Sequence, residues 1–336
     1  MSATEESTES TGAARRVRPH QLVIGLGIAI ATFTALSGIA GTVFNWHTDS
    51  PVSRHVFVNI PGGFKVVFYV VTCIALVAGA VMFAWRVKNW ERGRPDNRSI
   101  NKRNAKRRLG DFRGGVYMQT LMRDPVEGMM HSLIYFSFLV LLAVTTILEI
   151  DHQLPESLKF LHGGVYQAYI FVGDTAGLLF TIGVVWAILR RYVARPYRLR
   201  IKTKPQHAVI LGVFLAIAVT GFLTEALRVA LEGQPDFEKY GYVGYAMSFA
   251  FVDWQATTIS TWHQVAWVSH VVAFLAFLAI LPVTMLRHMF TSPLNLYLKD
   301  RDRPKGAMRP MPNLMETELE SFGAATVEDF TWKQLL

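Results

Sequence analysis

Residues 21–46 read QLVIGLGIAIATFTALSGIAGTVFNW, a run with no charged side chain. A bilayer core takes about 20 residues of helix, whereas a signal-peptide core has about 7–15. The run therefore predicts an uncleaved first membrane helix. Working outward, five more apolar stretches of similar length follow near 62–85, 129–149, 165–189, 207–227 and 264–287. The expected fold class is all-α, an integral membrane bundle of six transmembrane helices. The composition agrees, with 51% hydrophobic and 18% charged residues, which excludes disordered and fibrous chains. A single cysteine, Cys73, excludes disulfide frameworks and thiolate-held iron-sulfur clusters within this sequence, because each needs several thiols.

The formal charge of +9 is a topology signal. Of 34 Lys and Arg, 12 lie in 86–127 and 7 in each of 190–206 and 287–336. Short cytoplasmic loops are enriched in these residues, so both termini are expected in the cytoplasm and the chain in the cell membrane. Nucleic acid is not an expected partner of the basic run 98–108. On the other side, residues 225–261 are acidic and aromatic, with Tyr240, Tyr242, Tyr245, Phe249, Phe251 and Trp254. Such rings favour the headgroup level, and a short interfacial helix is expected there.

Histidines at membrane depth are uncommon and face the bundle interior. His270 and His288 are 18 residues apart, five turns on one helix face at opposite depths. His131 opens the third apolar stretch at the same basic level as His288, so one imidazole from each can approach one metal. Neutral imidazole is a common iron ligand, and His131, His288 and His270 are the expected haem-iron ligands. At the opposite level His152, His162 and His263 remain as candidates, His162 for cofactor binding and His263 for a quinone oxygen. Two carboxylates are candidates for proton transfer: Asp174, in mid-membrane within FVGDTAGLLF, and Glu225, within TGFLTEALRVAL. Burying an ionised carboxylate is costly unless it is paired, so Asp174 is protonated, hydrogen-bonded or part of a proton route. Glu225 is either a proton acceptor for a quinol or a charge paired with Arg228. Pro282 should bend the last helix.

The stretch 263–295, HQVAWVSHVVAFLAFLAILPVTMLRHMFTSPLN, with DPVEGMMHSLIYF upstream, resembles the cytochrome b gamma-subunit family of respiratory nitrate reductase. The branch it resembles is the membrane half of haem and iron-sulfur oxidoreductases, which includes heterodisulfide reductase membrane subunits and electron-transfer-flavoprotein:menaquinone oxidoreductases. The resemblance covers residues 60–336. It implies haem b, one or two per chain, with His270 and His288 as last-helix ligands and His131 as the inner partner. The family's second histidine on the third helix corresponds to Leu141 here, which leaves the outer haem without that ligand. Fused relatives continue, after a segment like VEDFTWKQLL, into a domain with iron-sulfur cysteines; such a domain is expected on a separate polypeptide or beyond this sequence.

The expected function is that of a respiratory-chain cytochrome b subunit, passing electrons between a membrane quinone, menaquinone by expectation, and a cytoplasmic iron-sulfur or flavin redox partner. Two readings of other classes stand beside it: a proton or solute transporter using Asp174 and Glu225, or a passive membrane anchor for a soluble partner. The expected organisation is a cytoplasmic tail (1–20), an extra first helix and outer loop (21–60), a five-helix cytochrome b-like domain (61–290), and a cytoplasmic linker and docking tail (291–336).

Overall fold

The computed structural model describes residues 18–44, 49–95, 102–119, 121–298, 313, 315–318, 324 and 326–336. Expectations for the N-terminal tail and for the linker after Leu298 fall mostly outside these residues. Six helices are long and apolar enough to cross a membrane: α1 (Pro19–Phe44), α2 (Gly62–Trp90), α4 (Pro125–Gln153), α5 (Gly163–Ile188, extended by a wider turn over Leu189–Ala194), α7 (Pro205–Leu231) and α9 (Ala256–Ile280). Shorter helices are α3 (Lys102–Val116), α6 (Tyr197–Lys202), α8 (Tyr242–Ser248), α10 (His288–Leu298) and α11 (Trp332–Leu335). The described residues form no named β-strand, and the all-helical class stands.

The helices pack as neighbouring pairs, α1 with α2, α4 with α5 and α7 with α9, joined through α5–α7 and α2–α9 contacts. Small residues let α1 approach its neighbours: a Cβ at Gly27 would lie 2.2 Å from that of Ala80, and one at Gly38 would lie 2.5 Å from the Tyr69 ring. Outward residues such as Phe33, Trp85 and Val193 stay more than two-thirds exposed, as a helix facing acyl chains allows. The core gathers Phe180 and Val184 (α5), Ile210, Phe214 and Ala218 (α7) and Phe277 (α9), with Phe138 and Leu141 of α4 packed against it.

Local signals set the ends that matter. Asp124 caps α4, its side chain accepting from the Glu127 amide at 3.4 Å ahead of Pro125 in the first turn; such a cap stabilises a helix by about 1 kcal/mol. The last membrane helix corrects an expectation. It does not run through 287 with a bend but ends at Ile280, and residues 281–283 form a turn. Pro282 has no N–H to donate and its ring crowds the preceding turn. Thr284 re-closes the break, donating to the Ile280 carbonyl at 2.8 Å and accepting from the Leu286 amide at 3.3 Å. His288 therefore opens α10 and does not share one straight helix face with His270. α10 also crosses the expected boundary at 290/291.

Two ends of the bundle differ in chemistry. The basic side holds α3, α6, α10 and the C-terminal segment 326–336, which pairs with the end of α2: Arg94 N donates to Phe330 O at 2.8 Å, Trp332 N to Arg94 O at 3.1 Å, and Arg92 meets Glu328 at 2.9 Å. Gly93 permits this approach, since a Cβ there would lie 2.6 Å from the Trp332 nitrogen. The aromatic side holds α8 between two short helices, Asp236–Tyr240 and Phe249–Phe251, in the stretch where the sequence led to a short helix.

Candidate functional site

At the basic side, α4 and α10 bring His131 and His288 together with ring centres 6.2 Å apart and planes at 61°. His288 Nδ1 lies 2.8 Å from the Met285 carbonyl oxygen. A carbonyl can only accept, so Nδ1 carries the proton and Nε2 keeps its lone pair. His131 Nδ1 is enclosed without a hydrogen-bond partner among the described residues, and Tyr135, one turn on, stacks beside its ring at 6.5 Å. Nearby, Arg190 of the α5 extension pairs with Glu127 at 2.7 Å. Among the described residues no group of three or more His, Cys, Asp and Glu could hold a metal ion; the histidine pair is a two-ligand arrangement.

His270, on α9, faces α7 instead. Its Nδ1 lies 3.1 Å from the Thr220 hydroxyl, and Gly221 leaves it room, because a Cβ there would lie 3.2 Å from His270 Cε1. Leu141, ten residues beyond His131, packs into the apolar core with Phe138. His152 is buried at the end of α4, its ring 5.4 Å from that of Phe57. His162 precedes α5 and bridges to Ser53 of the α1–α2 loop. The structure thus pairs two of the expected ligands and leaves His270 and His162 in separate surroundings.

The aromatic side carries a polar cluster that sequence reasoning only partly found. Arg228, 2% exposed, makes two bonds to Glu238 at 2.8 and 2.9 Å and one to Glu232 at 2.7 Å, while Tyr166 donates to Glu238 at 2.8 Å. Burial pushes the Glu238 carboxyl up, but the hydrogen bonds and charge of Arg228 outweigh it and hold the group below the usual carboxylate range. The expected Glu225–Arg228 pair is not formed: the Nη1 and Nη2 atoms of Arg228 bond the carboxylates four and ten residues on. Glu225 packs instead beneath α8, where a Cβ at Gly244 would lie 2.6 Å from its carboxyl carbon. No hydrogen bond among the described residues engages that carboxyl.

Asp174 accepts from the Val243 amide at 2.6 Å and the Gly244 amide at 3.4 Å. It lies eleven residues into α5, a rise of about 16 Å, so the first turn of α8 is folded back to that depth. Backbone amides there must be satisfied within the protein, and Asp174 does it, the hydrogen-bonded alternative of those the sequence left open. Replacing it by Asn, which keeps one acceptor, should cost about 1 kcal/mol; Asp174→Leu, which orphans both amides, should cost about 2–3 kcal/mol. Thermal unfolding in detergent reads the difference, and equal midpoints for the two variants would contradict the anchoring role.

Arg54, from the α1–α2 loop, was not singled out in the sequence. Its Nε is enclosed without a partner among the described residues. The only sequence signal was positional: it is one of few basic residues on the side depleted of them. His263, 3% exposed, has Nδ1 3.3 Å from the Asn59 side-chain nitrogen, and Asn59 also exchanges hydrogen bonds with Ser260 at 2.8 and 2.9 Å.

Comparison with known proteins fits this architecture. The chain is 28% identical over 307 residues, 88% of its length, to an EtfAB:quinone oxidoreductase of Syntrophomonas wolfei subsp. wolfei. It is 25% identical over 222 residues, 64% of its length, to a probable iron-sulfur-binding oxidoreductase, FadF, of Bacillus subtilis. It spans 42% and 30% of these relatives. No solved structure gives a significant match. Together the matches support a membrane electron-transfer subunit. Residues 117–303, more than half of the chain and the part that holds α4, α5, α7, α9 and the paired histidines, match the family described as nitrate reductase gamma subunit, and the chain belongs to that family.

Proposed function

We propose that the chain is a b-type cytochrome that carries electrons between a membrane quinone, menaquinone by expectation, and an iron-sulfur or flavin protein on its basic side. The observation that carries the reading is the His131–His288 pair. Their ring centres lie 6.2 Å apart, and these two imidazoles would hold a haem iron. The residues present fit haem: α4 and α10 supply one imidazole each, and the Met285 carbonyl fixes the His288 tautomer so that Nε2 keeps its lone pair for a metal. Haem bound there would supply one-electron transfer at its iron.

At the aromatic side, Arg54 and Glu225 are opposite charges, the Arg54 Nε enclosed without a partner and the Glu225 carboxyl without a hydrogen bond among the described residues. A quinol has a matching set of groups: an oxygen that accepts from the Arg54 guanidinium and a hydroxyl that gives its proton to Glu225, with His263 and Tyr169 bordering. Oxidation releases two protons with two electrons: the Glu225 carboxylate, under the Gly241–Gly244 turn, would take one proton outward, the second would leave to water at that face, and the electrons would pass one at a time toward the iron-sulfur or flavin protein. The orientation that the basic loops imply puts that side outside the cell, with both termini in the cytoplasm, and the C-terminal segment held at the end of α2 would present the redox partner near His131 and His288. The two EtfAB- and iron-sulfur-named relatives, longer than this chain, support a partner of that class.

A reduced-minus-oxidised absorption spectrum of the purified chain tests the reading. Haem b bands are expected, and their absence would leave the transporter and anchor readings. In the haem-loaded protein, Glu225→Gln should lower quinol oxidation by about 100-fold or more, the usual loss of a proton-transfer group, with an unchanged haem spectrum. Full quinol turnover in that variant would remove Glu225 from the proton path.

A further inference from the structure

We propose that α3 and α10 together bind the phosphate of an anionic phospholipid at the membrane surface of the basic side. At 3.6 residues per turn, Ala105, Arg108, Phe112 and Gly115 fall on one face of α3. That face packs on α10: a Cβ at Gly115 would lie 2.1 Å from Leu296 Cδ1, and the Arg108 guanidinium lies 5.8 Å from the Tyr297 ring centre. Arg108 is 5% exposed, and its Nη1 is enclosed without a hydrogen-bond partner among the described residues. No ion pair or hydrogen bond among the described residues engages it. Among those residues the seam gives this permanent cation an aromatic face and no bonded anion, and a buried charge calls for a counter-charge.

The surroundings select the anion. Phe290, Leu294 and Tyr297 follow one another at i, i+4 and i+7, so they line one face of α10, and they are 55%, 43% and 37% exposed. Phe290 meets Phe83 with ring centres 5.8 Å apart. Phe83 stands seven residues before the end of α2, about 10 Å inside it, so this strip starts at acyl-chain depth and runs to the cation. An amphiphile has that shape, an apolar chain along Phe290 and Leu294 ending in a phosphate at Arg108; a free anion or a soluble acidic peptide has no use for the strip. Lys106, Arg107 and Arg113 are exposed on the other faces of α3 and add attraction for an anionic leaflet.

Native mass spectrometry of the full chain in detergent tests this, with dioleoyl phosphatidylglycerol, dioleoyl phosphatidylcholine and inorganic phosphate as probes. The wild-type chain should retain one phosphatidylglycerol at least tenfold more strongly than phosphatidylcholine, and phosphate should not compete. Arg108→Gln should abolish the preference. Lys106→Gln with Arg113→Gln, both exposed and harmless to the seam, should weaken it partly. Equal retention of the two lipids by the wild type, a test that needs no variant, would overturn the proposal. So would phosphate displacing the lipid, which would make this a soluble-anion site. Unchanged lipid preference in Arg108→Gln, with weakened capture of a soluble redox partner, would assign the surface to that partner instead.

Discussion

Replacing either His131 or His288 by Ala should remove the low-spin bis-imidazole signal of the haem in full. The two rings sit 6.2 Å apart, one on α4 and one on α10, so neither can be substituted by a neighbour without moving a helix end. On the proposed reading each variant loses one of the two imidazoles that would hold the haem, and ligation fixes both the position and the potential of a haem. His207→Ala is the control, because His207 serves the first turn of α7, with its Nδ1 2.9 Å from the Lys204 backbone nitrogen. Paramagnetic resonance and haem content measured together decide the matter. A full low-spin signal in His288→Ala at wild-type haem content would break the pairing. Loss of part of the signal would show a second haem, and His270, with Thr220 at its Nδ1, would be the place to seek it. The packing of Leu141 into the apolar core favours total loss.

The second large effect concerns stability. Arg228→Met leaves Glu238 buried among Tyr166 and the aromatic-side loop without its cation, and breaking one half of a buried pair costs about 3–5 kcal/mol. The unfolding midpoint should fall on the order of 10 °C. Arg228→Met combined with Glu238→Leu removes both charges and should recover most of that loss, because apolar groups of similar volume replace a buried pair at little cost. A single variant within about 1 kcal/mol of the wild type would show that the cluster contributes little. The pH dependence has a definite sign. Glu238 is depressed in the folded state, so its contribution is complete above its unfolded value of about 4.3 and is lost as pH falls through the folded value.

Much of the fold was legible in the sequence because a bilayer imposes a simple rule: a span needs about 20 apolar helical residues, and uncharged runs such as 21–46 meet it without tertiary help. The division into a basic and an aromatic side followed for a similar reason, since charge placement is a property of the chain. The juxtaposition of His131 and His288 was readable from depth alone, as both border a basic segment. How they meet was not. Pro282 does not curve the last helix but ends it: its missing N–H leaves the Leu278 carbonyl, four residues back, without its helical donor, and Thr284 closes a new turn with Ile280 and Leu286.

Side-chain pairing was decided by tertiary structure. From the sequence, Glu225 and Arg228 look like partners, one helical turn apart. In the fold, Glu238 arrives from the next loop at a better angle, with two oxygens for two guanidinium nitrogens, and Glu225 is left for other work. Asp174 met the amides of α8, sixty-nine residues further on; nothing local could announce that partner. Arg54 and Arg108 show the same limit from the other side. The sequence determined that this chain carries six helices long and apolar enough to cross a membrane and where its charges lie, because hydrophobicity and charge are summed along the chain. Only the folded structure decided which charges are answered and which are left open, because that depends on distances of a few ångströms between residues far apart in the chain.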